Sequence, residues 1–258
     1  YLFEKENSLT EIFSKKGIQI FFKTLLVILP GIIACVLLFA YSRSKTPENW
    51  TSGGGAPLVY LQTQTFVIVH YVNNFFLPLN LSADTDWKPI TNHFDDRVII
   101  GTAFILALVI LAFRASRKKE SRPITFGILW FFVALLPTSS LFPFAEVLND
   151  HRPFFPYIGL VMAVVWACVI FIRKHEKVFN KPMAKILVPA TCVLLLTAHS
   201  IGAHHRNDVW SSGEKLWKDV TIKSPANGRG WMNYGNSQMA KGNFQEALVA
   251  FNKAKDLW

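Results

Sequence analysis

The chain has 258 residues, of which 51% are hydrophobic, and it carries a formal net charge of +10. The apolar residues are concentrated in long blocks, which is typical of a bilayer protein rather than of one large soluble core. Much of the positive charge lies in short loops between these blocks, where Lys and Arg report orientation in the membrane. No basic face on a soluble domain is visible, so we expect no nucleic-acid partner.

Five apolar blocks are predicted to form transmembrane helices, since a helix needs about 20 apolar residues to cross the hydrocarbon core. In chain order they are 18–41, 98–113, 124–136, 154–172 and 186–201. The third block is broken after Leu136 by Pro137. The three cysteines lie within apolar blocks, at spacings that suggest neither a metal site nor a disulfide framework.

Segment 58–79 is apolar overall but carries four polar side chains that share one helical face: Gln62, His70, Asn73 and Asn74. If the first helix leaves the cytoplasm and the helix at 98–113 returns, this segment cannot cross fully. We therefore predict an interfacial or re-entrant helix here.

Charge sets the expected orientation. Basic residues are dense in segment 114–122 and again in segment 173–181, two spans later, so both loops are predicted to be cytoplasmic. The loop at 137–153 and everything after Ile201 then lie on the other face. We predict a bacterial inner-membrane protein with its C-terminal part in the periplasm, or an endoplasmic-reticulum protein with that part in the lumen.

The C-terminal segment 228–258 matches the consensus of a tetratricopeptide (TPR) repeat at eight positions in one register. These are Trp231, Tyr234, Gly235, Gly242, Phe244, Ala247, Phe251 and Ala254. We therefore predict an all-α protein: a transmembrane helix bundle over residues 1–205, and over 206–258 a linking helix and the first repeat of a TPR α-solenoid. The chain begins with Tyr1 rather than Met and ends within a repeat, so we interpret it as a fragment whose repeat array continues.

The loop between the third and fourth blocks holds the most informative polar cluster. Its members are Glu146, Asn149, Asp150, His151 and Arg152. Ionisable groups at a membrane boundary are expensive unless they are paired or used. Arg152 and Asp150 could hold an anionic headgroup, and His151 could carry a proton. The alternative is an ordinary polar loop with a surface ion pair.

A second acidic group begins at Asp84 and Asp86 and continues to His93, Asp95 and Asp96. Carboxylates bind divalent metals through oxygen, but they also occur in solvated loops. Because no third fixed ligand is evident, no metal site is assigned and no cofactor is certain, with a divalent metal left as an alternative. Sequence motifs of P-loop enzymes, serine hydrolases and HExxH zinc proteases are absent from the sequence.

The order of these features resembles the GT-C-type membrane glycosyltransferases with C-terminal TPR repeats. This family includes the transmembrane-and-TPR O-mannosyltransferases and their bacterial relatives. Three stretches carry the likeness: 64–84, 136–159, and the exit from the last span into Trp210 and the repeat. In the second stretch, Asp150-His151 takes the place of the family's acidic-basic pair, with His instead of Arg.

The resemblance implies transfer of a sugar from a polyprenyl-phosphate carrier to an acceptor, expected to be a protein, on the non-cytoplasmic face. The family's acidic pair in its first outer loop has no counterpart here, so the catalytic base is expected to lie outside this sequence. Arg152 with His151 would stabilise the departing phosphate. Glu146 and Asp150 would orient them or bind the sugar or a metal, and the TPR groove would take the acceptor protein.

Two further readings remain open at this stage. One is an oligosaccharide ligase or polymerase with a TPR tail, which shares a lipid-linked donor and many spans. The other is a non-enzymatic membrane scaffold that displays TPR repeats for protein assembly.

Overall fold

A computed structural model describes residues 14–45, 56–139 and 143–257. This part of the chain is helical with no strand, which confirms the all-α prediction. The helices are α1 (Lys15–Lys45), α2 (Pro57–Phe76), α3 (Asp96–Ser116), α4 (Arg122–Leu135), α5 (Phe154–Lys174), α6 (Glu176–Phe179), α7 (Pro182–Val209), α8 (Gly213–Lys223), α9 (Gly228–Ala240) and α10 (Phe244–Asp256).

Within the described ranges, four helices are long and apolar enough to cross a membrane: α1, α3, α5 and α7. The protein is therefore a helical membrane bundle. The third predicted span, α4, has 14 residues, and at about 1.5 Å per residue it is shorter than the roughly 30 Å hydrocarbon core. The total number of crossings stays a prediction.

Helices α4 and α5 cross at a pair of glycines. A Cβ built on Gly127 would overlap the carbonyl oxygen of Gly159, and a Cβ on Gly159 would overlap that of Gly127. Small residues at such a crossing let two helix backbones approach closely, which is a common way to gain packing in a membrane bundle. Two indole groups fix the ends of this pair: Trp130 donates to the carbonyl of Phe155 at 3.2 Å, and Trp166 donates to that of Glu120 at 2.6 Å.

These bonds make α4 antiparallel to α5, so the connecting segments separate into two groups. Segments 77–95, 136–139 and 143–153 lie at one end of the bundle, which we call the upper end. The connecting segments 117–121 and 175–181, which belong to the loops predicted to be cytoplasmic (114–122 and 173–181), lie at the opposite, basic end. Apolar helix α7 ends at Val209, eight residues beyond the predicted end of the last apolar block at residue 201. Trp210, which follows it, therefore lies at the upper end.

The segment predicted to be interfacial or re-entrant is the uninterrupted 20-residue helix α2. It runs beside the segment before α5 over most of its length. The Tyr60 hydroxyl donates to the carbonyl of Thr138 at 2.7 Å, and the Gln64 amide donates to that of Val147 at 2.9 Å. Its buried face forms the main apolar core with residues of α4, α5 and this segment: Val67, Ile68, Tyr71, Phe131, Leu135, Val147, Leu148 and Leu160.

The C-terminal segment folds as an antiparallel hairpin of α9 and α10, with α8 packed on α9. Asn227 caps α9 by accepting from the amide of Gly230 at 2.9 Å. Gly242 ends α9 with a φ of +80°, a left-handed conformation that glycine adopts without the penalty of a Cβ. A Cβ on Gly235 would lie 2.6 Å from the ring of Phe251, so α9 and α10 approach each other closely at this glycine.

Candidate functional site

A cavity of about 610 Å³ opens at the upper end of the bundle, between its connecting segments and α8. It is lined by Ala83, Asp84, Thr138, Phe144, Glu146, Asn149, His151, Arg152, Trp210, Leu216 and Trp217. Its volume lies in the range of small-molecule sites, about 300 to 1,000 Å³. Three parts of the sequence that are distant along the chain therefore contribute to one concave surface.

Five of the seven predicted site residues line this cavity: Asp84, Glu146, Asn149, His151 and Arg152. Asp86 lines a different, smaller cavity beside Trp87 and Arg97. Asp150 is absent from the lining and is bonded instead to the neighbouring segments. The two predicted polar groups thus meet through Asp84.

Arg152 is held by its own loop. Its side chain is 7% exposed, and Nη2 lies 3.0 Å from Glu146 Oε2 while Nη1 donates to the Glu146 carbonyl at 2.9 Å. Its guanidinium also lies over the ring of Phe144, 4.8 Å from the centroid. The charge of Arg152 is thus already matched by Glu146, and an anionic headgroup would have to displace that carboxylate.

Arg229, at the start of α9, reaches into the same network. Its guanidinium donates through Nε to Asp84 Oδ2 at 2.8 Å, and it also bonds Glu146 Oε1 through Nη1. Asp84 is a buried carboxylate, with a side chain only 2% exposed. The result is a row of alternating charges, Asp84–Arg229–Glu146–Arg152, which we call the charge ladder.

Two more bonds tie the C-terminal part to the segment before α3. Lys223 donates to the carbonyl of Leu81 at 2.7 Å, and the side chain of Asn227 donates to that of Thr85 at 2.9 Å. With Arg229, these contacts place the start of the helical hairpin at the upper end of the bundle, directly beside the polar cluster.

Asp150 joins the two connecting segments. Its carboxylate accepts from the backbone amide of Ser82 at 2.6 Å and from the side chain of Asn74 at 2.9 Å. The imidazole of His70 lies 3.5 Å from the same carboxylate. Hydrogen bonds to a charged acceptor contribute more than neutral ones, so Asp150 fixes the frame on which the cavity residues are mounted.

His151 and Asn149 keep unused hydrogen-bonding capacity. Burial, and after it the charge of Arg152, lowers the pKa of His151, so its imidazole is neutral at pH 7. Its ring stands edge-on to Trp210, with centroids 5.8 Å apart. Asn149 is 3% exposed, and its Oδ1 has no hydrogen-bond partner within the described part of the protein.

The cavity wall on the C-terminal side is aromatic. Trp210 follows α7 and Trp217 lies on α8. The two helices are held together by Arg206, which pairs with Asp219 at 2.6 Å and whose guanidinium also lies 5.9 Å from the Trp210 ring centroid. Asp219 pairs in turn with Lys223 at 2.8 Å.

No group of three or more His, Cys, Asp or Glu side chains is arranged to hold a metal ion among residues 14–45, 56–139 and 143–257. Two members of the predicted acidic group are instead committed to arginines. Asp84 pairs with Arg229, and Asp95 pairs with Arg97 at 2.9 Å while capping α3. These two carboxylates therefore contact cationic side chains within the described residues.

Sequence reasoning missed Arg229 and the tryptophans as parts of this site. A signal for Arg229 was present, because a cation in the first turn of a helix opposes the helix dipole unless acidic groups compensate it. No feature of the sequence indicated that Asp84 and Glu146 are the acidic groups that compensate the charge of Arg229.

The fold is that of a helical membrane protein with a mixed polar and aromatic cavity at one end. No family model matches the chain, and no solved structure matches it either. Its sequence is similar to protein O-mannosyl-transferase TMTC1 of Homo sapiens, with 25% identity over 228 residues that cover 82% of this chain and 25% of that protein. The TMTC1 protein of Mus musculus is 25% identical over 252 residues, covering 88% and 25%. Protein O-mannosyl-transferase Tmtc3 of Drosophila melanogaster is 24% identical over 199 residues, covering 74% and 21%.

The chain spans about a quarter of the length of the curated relatives it matches. The similarity is distant, and it extends along most of this chain.

Proposed function

We propose that the chain is part of a membrane protein O-mannosyltransferase that moves a sugar from a polyprenyl-phosphate donor to a protein on the non-cytoplasmic face. The distant similarity to protein O-mannosyl-transferases along most of the chain carries this proposal. In it, the upper end faces the periplasm or the lumen, and the helical hairpin is the first TPR repeat of an array that presents the acceptor.

The contact between the hairpin and the polar cluster supports the proposal. Transfer requires the lipid-linked sugar and the acceptor protein to meet, and the charge ladder holds the start of the hairpin beside the cavity. The basic segments lie at the other end, where the positive-inside rule expects the cytoplasm. Holding the lipid-linked sugar and the acceptor protein in a fixed relative orientation would increase the rate of transfer between them.

The proposal is tested with the full-length protein that contains this chain, purified and reconstituted in lipid vesicles. Synthetic polyprenyl-phosphate mannose is the donor and an unfolded secretory protein is the acceptor. Mass spectrometry should find hexose added to Ser or Thr of the acceptor. His151→Ala, which removes an uncommitted cavity group, should lower the rate, whereas Arg97→Ala, at an exposed pair outside the cavity, should leave it unchanged.

The other two readings give different results in the same assay. Transfer of a preassembled oligosaccharide from a polyprenyl-diphosphate donor, with no single hexose transferred, would indicate a ligase. If the folded, membrane-inserted protein transferred sugar from neither donor, the enzymatic readings would be rejected and the non-enzymatic scaffold would be the remaining interpretation.

A further inference from the structure

We infer that the cavity binds a neutral, hydroxylated ring, the sugar itself, and that Trp210 and Trp217 form the face against which this ring packs. The inference rests on the proposed function for the choice of sugar and goes beyond it by naming what this cavity holds. It differs from the expectation drawn from sequence, in which Arg152 receives a phosphate.

The charges of the cavity argue against an anion as its ligand. Each of the two cations has a carboxylate within about hydrogen-bond distance: Arg152 has Glu146, and Arg229 has both Asp84 and Glu146. Two carboxylates and two guanidinium groups sum to zero. A phosphate entering this site would gain attraction only by breaking a pair that exists, at the cost of leaving a carboxylate without its partner.

The groups that remain free are neutral. The imidazole of His151 makes no hydrogen bond among the described residues, and the indole N–H groups of Trp210 and Trp217, which line the same cavity, have no acceptor there either. Asn149 adds a buried carbonyl oxygen that lacks a donor. Buried polar groups are normally satisfied, so this oxygen calls for a partner. Hydroxyl groups both donate and accept, and they match this mixed set.

The shape of the wall also fits a sugar. A pyranose ring has an apolar face of C–H groups and an edge of hydroxyl groups. Trp combines a large apolar face with one N–H donor, which suits such a ligand. Trp210 lines the cavity and is 45% exposed, so part of its ring is available there, although Arg206 lies over the ring and the His151 ring stands nearly perpendicular to it. The cavity volume of about 610 Å³ accommodates a monosaccharide with room for a linked group.

The test is binding without catalysis. The full chain in lipid nanodiscs is mixed with methyl α-D-mannopyranoside, and saturation-transfer NMR measures the affinity. The glycoside should bind saturably, and Trp210→Ala should weaken it about fivefold or more, since one aromatic contact is lost. Trp166→Ala is the matched control, because Trp166 is 39% exposed and lies toward the basic end. It should bind as the unaltered chain does.

Inorganic phosphate at the same concentration should not displace the glycoside. Displacement by phosphate, glycoside binding that Trp210→Ala leaves unchanged, or no saturable binding at all would each overturn the inference. His151→Gln, a milder change, should also weaken binding while keeping the fold. Competition distinguishes the two molecules that carry the sugar. A short-chain prenyl phosphomannose displaces the glycoside if the sugar of the donor occupies the cavity, and an O-mannosyl-threonine peptide does so if the sugar of the product does.

Failure here and failure of the proposed function give different results. Hexose transfer by a protein that binds no glycoside in this cavity would reject the cavity as the sugar site and keep the enzyme. Glycoside binding by a protein that transfers no hexose would keep the cavity as the sugar site and reject the enzyme.

Discussion

Arg229 and Glu146 are 83 positions apart in the sequence, and their side chains form an ion pair that joins the helical hairpin to the loop before α5. The same guanidinium holds Asp84, 145 positions away. One side chain therefore links three segments of the chain, and the cavity depends on the position in which it holds them. Pairs of this kind stabilise a particular arrangement because removing one partner leaves the others without compensation.

Replacing Arg229 by Ala should loosen the hairpin from the bundle. Asp84 would stay buried without its main partner, a loss of about 1 to 3 kcal/mol. Hydrogen exchange at the backbone amides of 82–86 should speed up, and proteolysis between α8 and α9 should become faster. Arg229→Lys keeps the charge but cannot bond two carboxylates in a fork, so it should restore only part of the protection.

The control for this change is Arg97→Ala. Arg97 also pairs with an aspartate, Asp95, but its side chain is 55% exposed, and surface pairs contribute little. Equal loosening by Arg229→Ala and Arg97→Ala would show that the ladder does not hold the hairpin.

The glycine crossing of α4 and α5 gives a second prediction. Gly127→Ala should lower the free energy of unfolding by about 1 to 3 kcal/mol, because the added methyl group forces the two backbones apart. Gly202→Ala in α7 is the control, since a Cβ there meets no atom within 4 Å, and alanine is the better helix former. Thermal unfolding in nanodiscs should show a lower midpoint for Gly127→Ala alone. A lowered midpoint for both variants would point to a general effect of glycine replacement.

The pKa of His151 predicts how stability depends on pH. Its folded pKa is lowered from 6.5, so on acidification the unfolded chain takes up a proton at this position before the folded chain does. The stability linked to His151 is complete above the unfolded pKa and is lost as pH falls below it. His151→Gln should therefore lose less stability than the unaltered protein between pH 7 and pH 5. The difference between the two proteins isolates this group from nearby Glu146, Asp150 and Asp84, and parallel curves would contradict the prediction.

The sequence predicted local features well because they depend on local patterns. Hydrophobic blocks identified α1, α3, α5 and α7, since length and composition decide whether a helix can cross a membrane. Gly242, one of the residues that match the repeat consensus, lies at the α9–α10 turn, where a left-handed residue is needed. The polar cluster before α5 was identified by the cost of charges at a membrane boundary.

Pairings across the chain could not be predicted in the same way. Asp86 is two positions from Asp84 yet lines another cavity. Residues two apart in a regular extended segment would share a face, but the chain bends at Ala83 and Asp84. Asp150 is next to His151 but bonds Ser82 and Asn74. Which acidic group meets which basic group depends on how the helices pack, and periodicity carries no such information.

Membrane topology provides the most general prediction. The contacts of Arg229 place the hairpin and the polar cluster at the same end of the bundle, so they must face the same compartment, whatever the number of crossings. Single cysteines are introduced at exposed positions after the natural Cys35, Cys168 and Cys192 are replaced by Ala. Phe94→Cys reports the upper end, since Phe94 is 83% exposed, and Met239→Cys reports the hairpin.

Both of these cysteines should react with a membrane-impermeant maleimide from the same side of sealed vesicles. Lys177→Cys, at the basic end, should react only after the vesicles are opened or when their orientation is reversed. The positive-inside rule gives the basic end to the cytoplasm, so the reactive side in intact cells should be the periplasm or the lumen. Labelling of Phe94→Cys and Met239→Cys from opposite sides is incompatible with the charge ladder, because Arg229 could not then reach Asp84 and Glu146. If Lys177→Cys were labelled from the same side as the other two cysteines, the charge ladder would stand. The conclusion that the upper end and the basic end lie on opposite sides of the membrane would then be rejected.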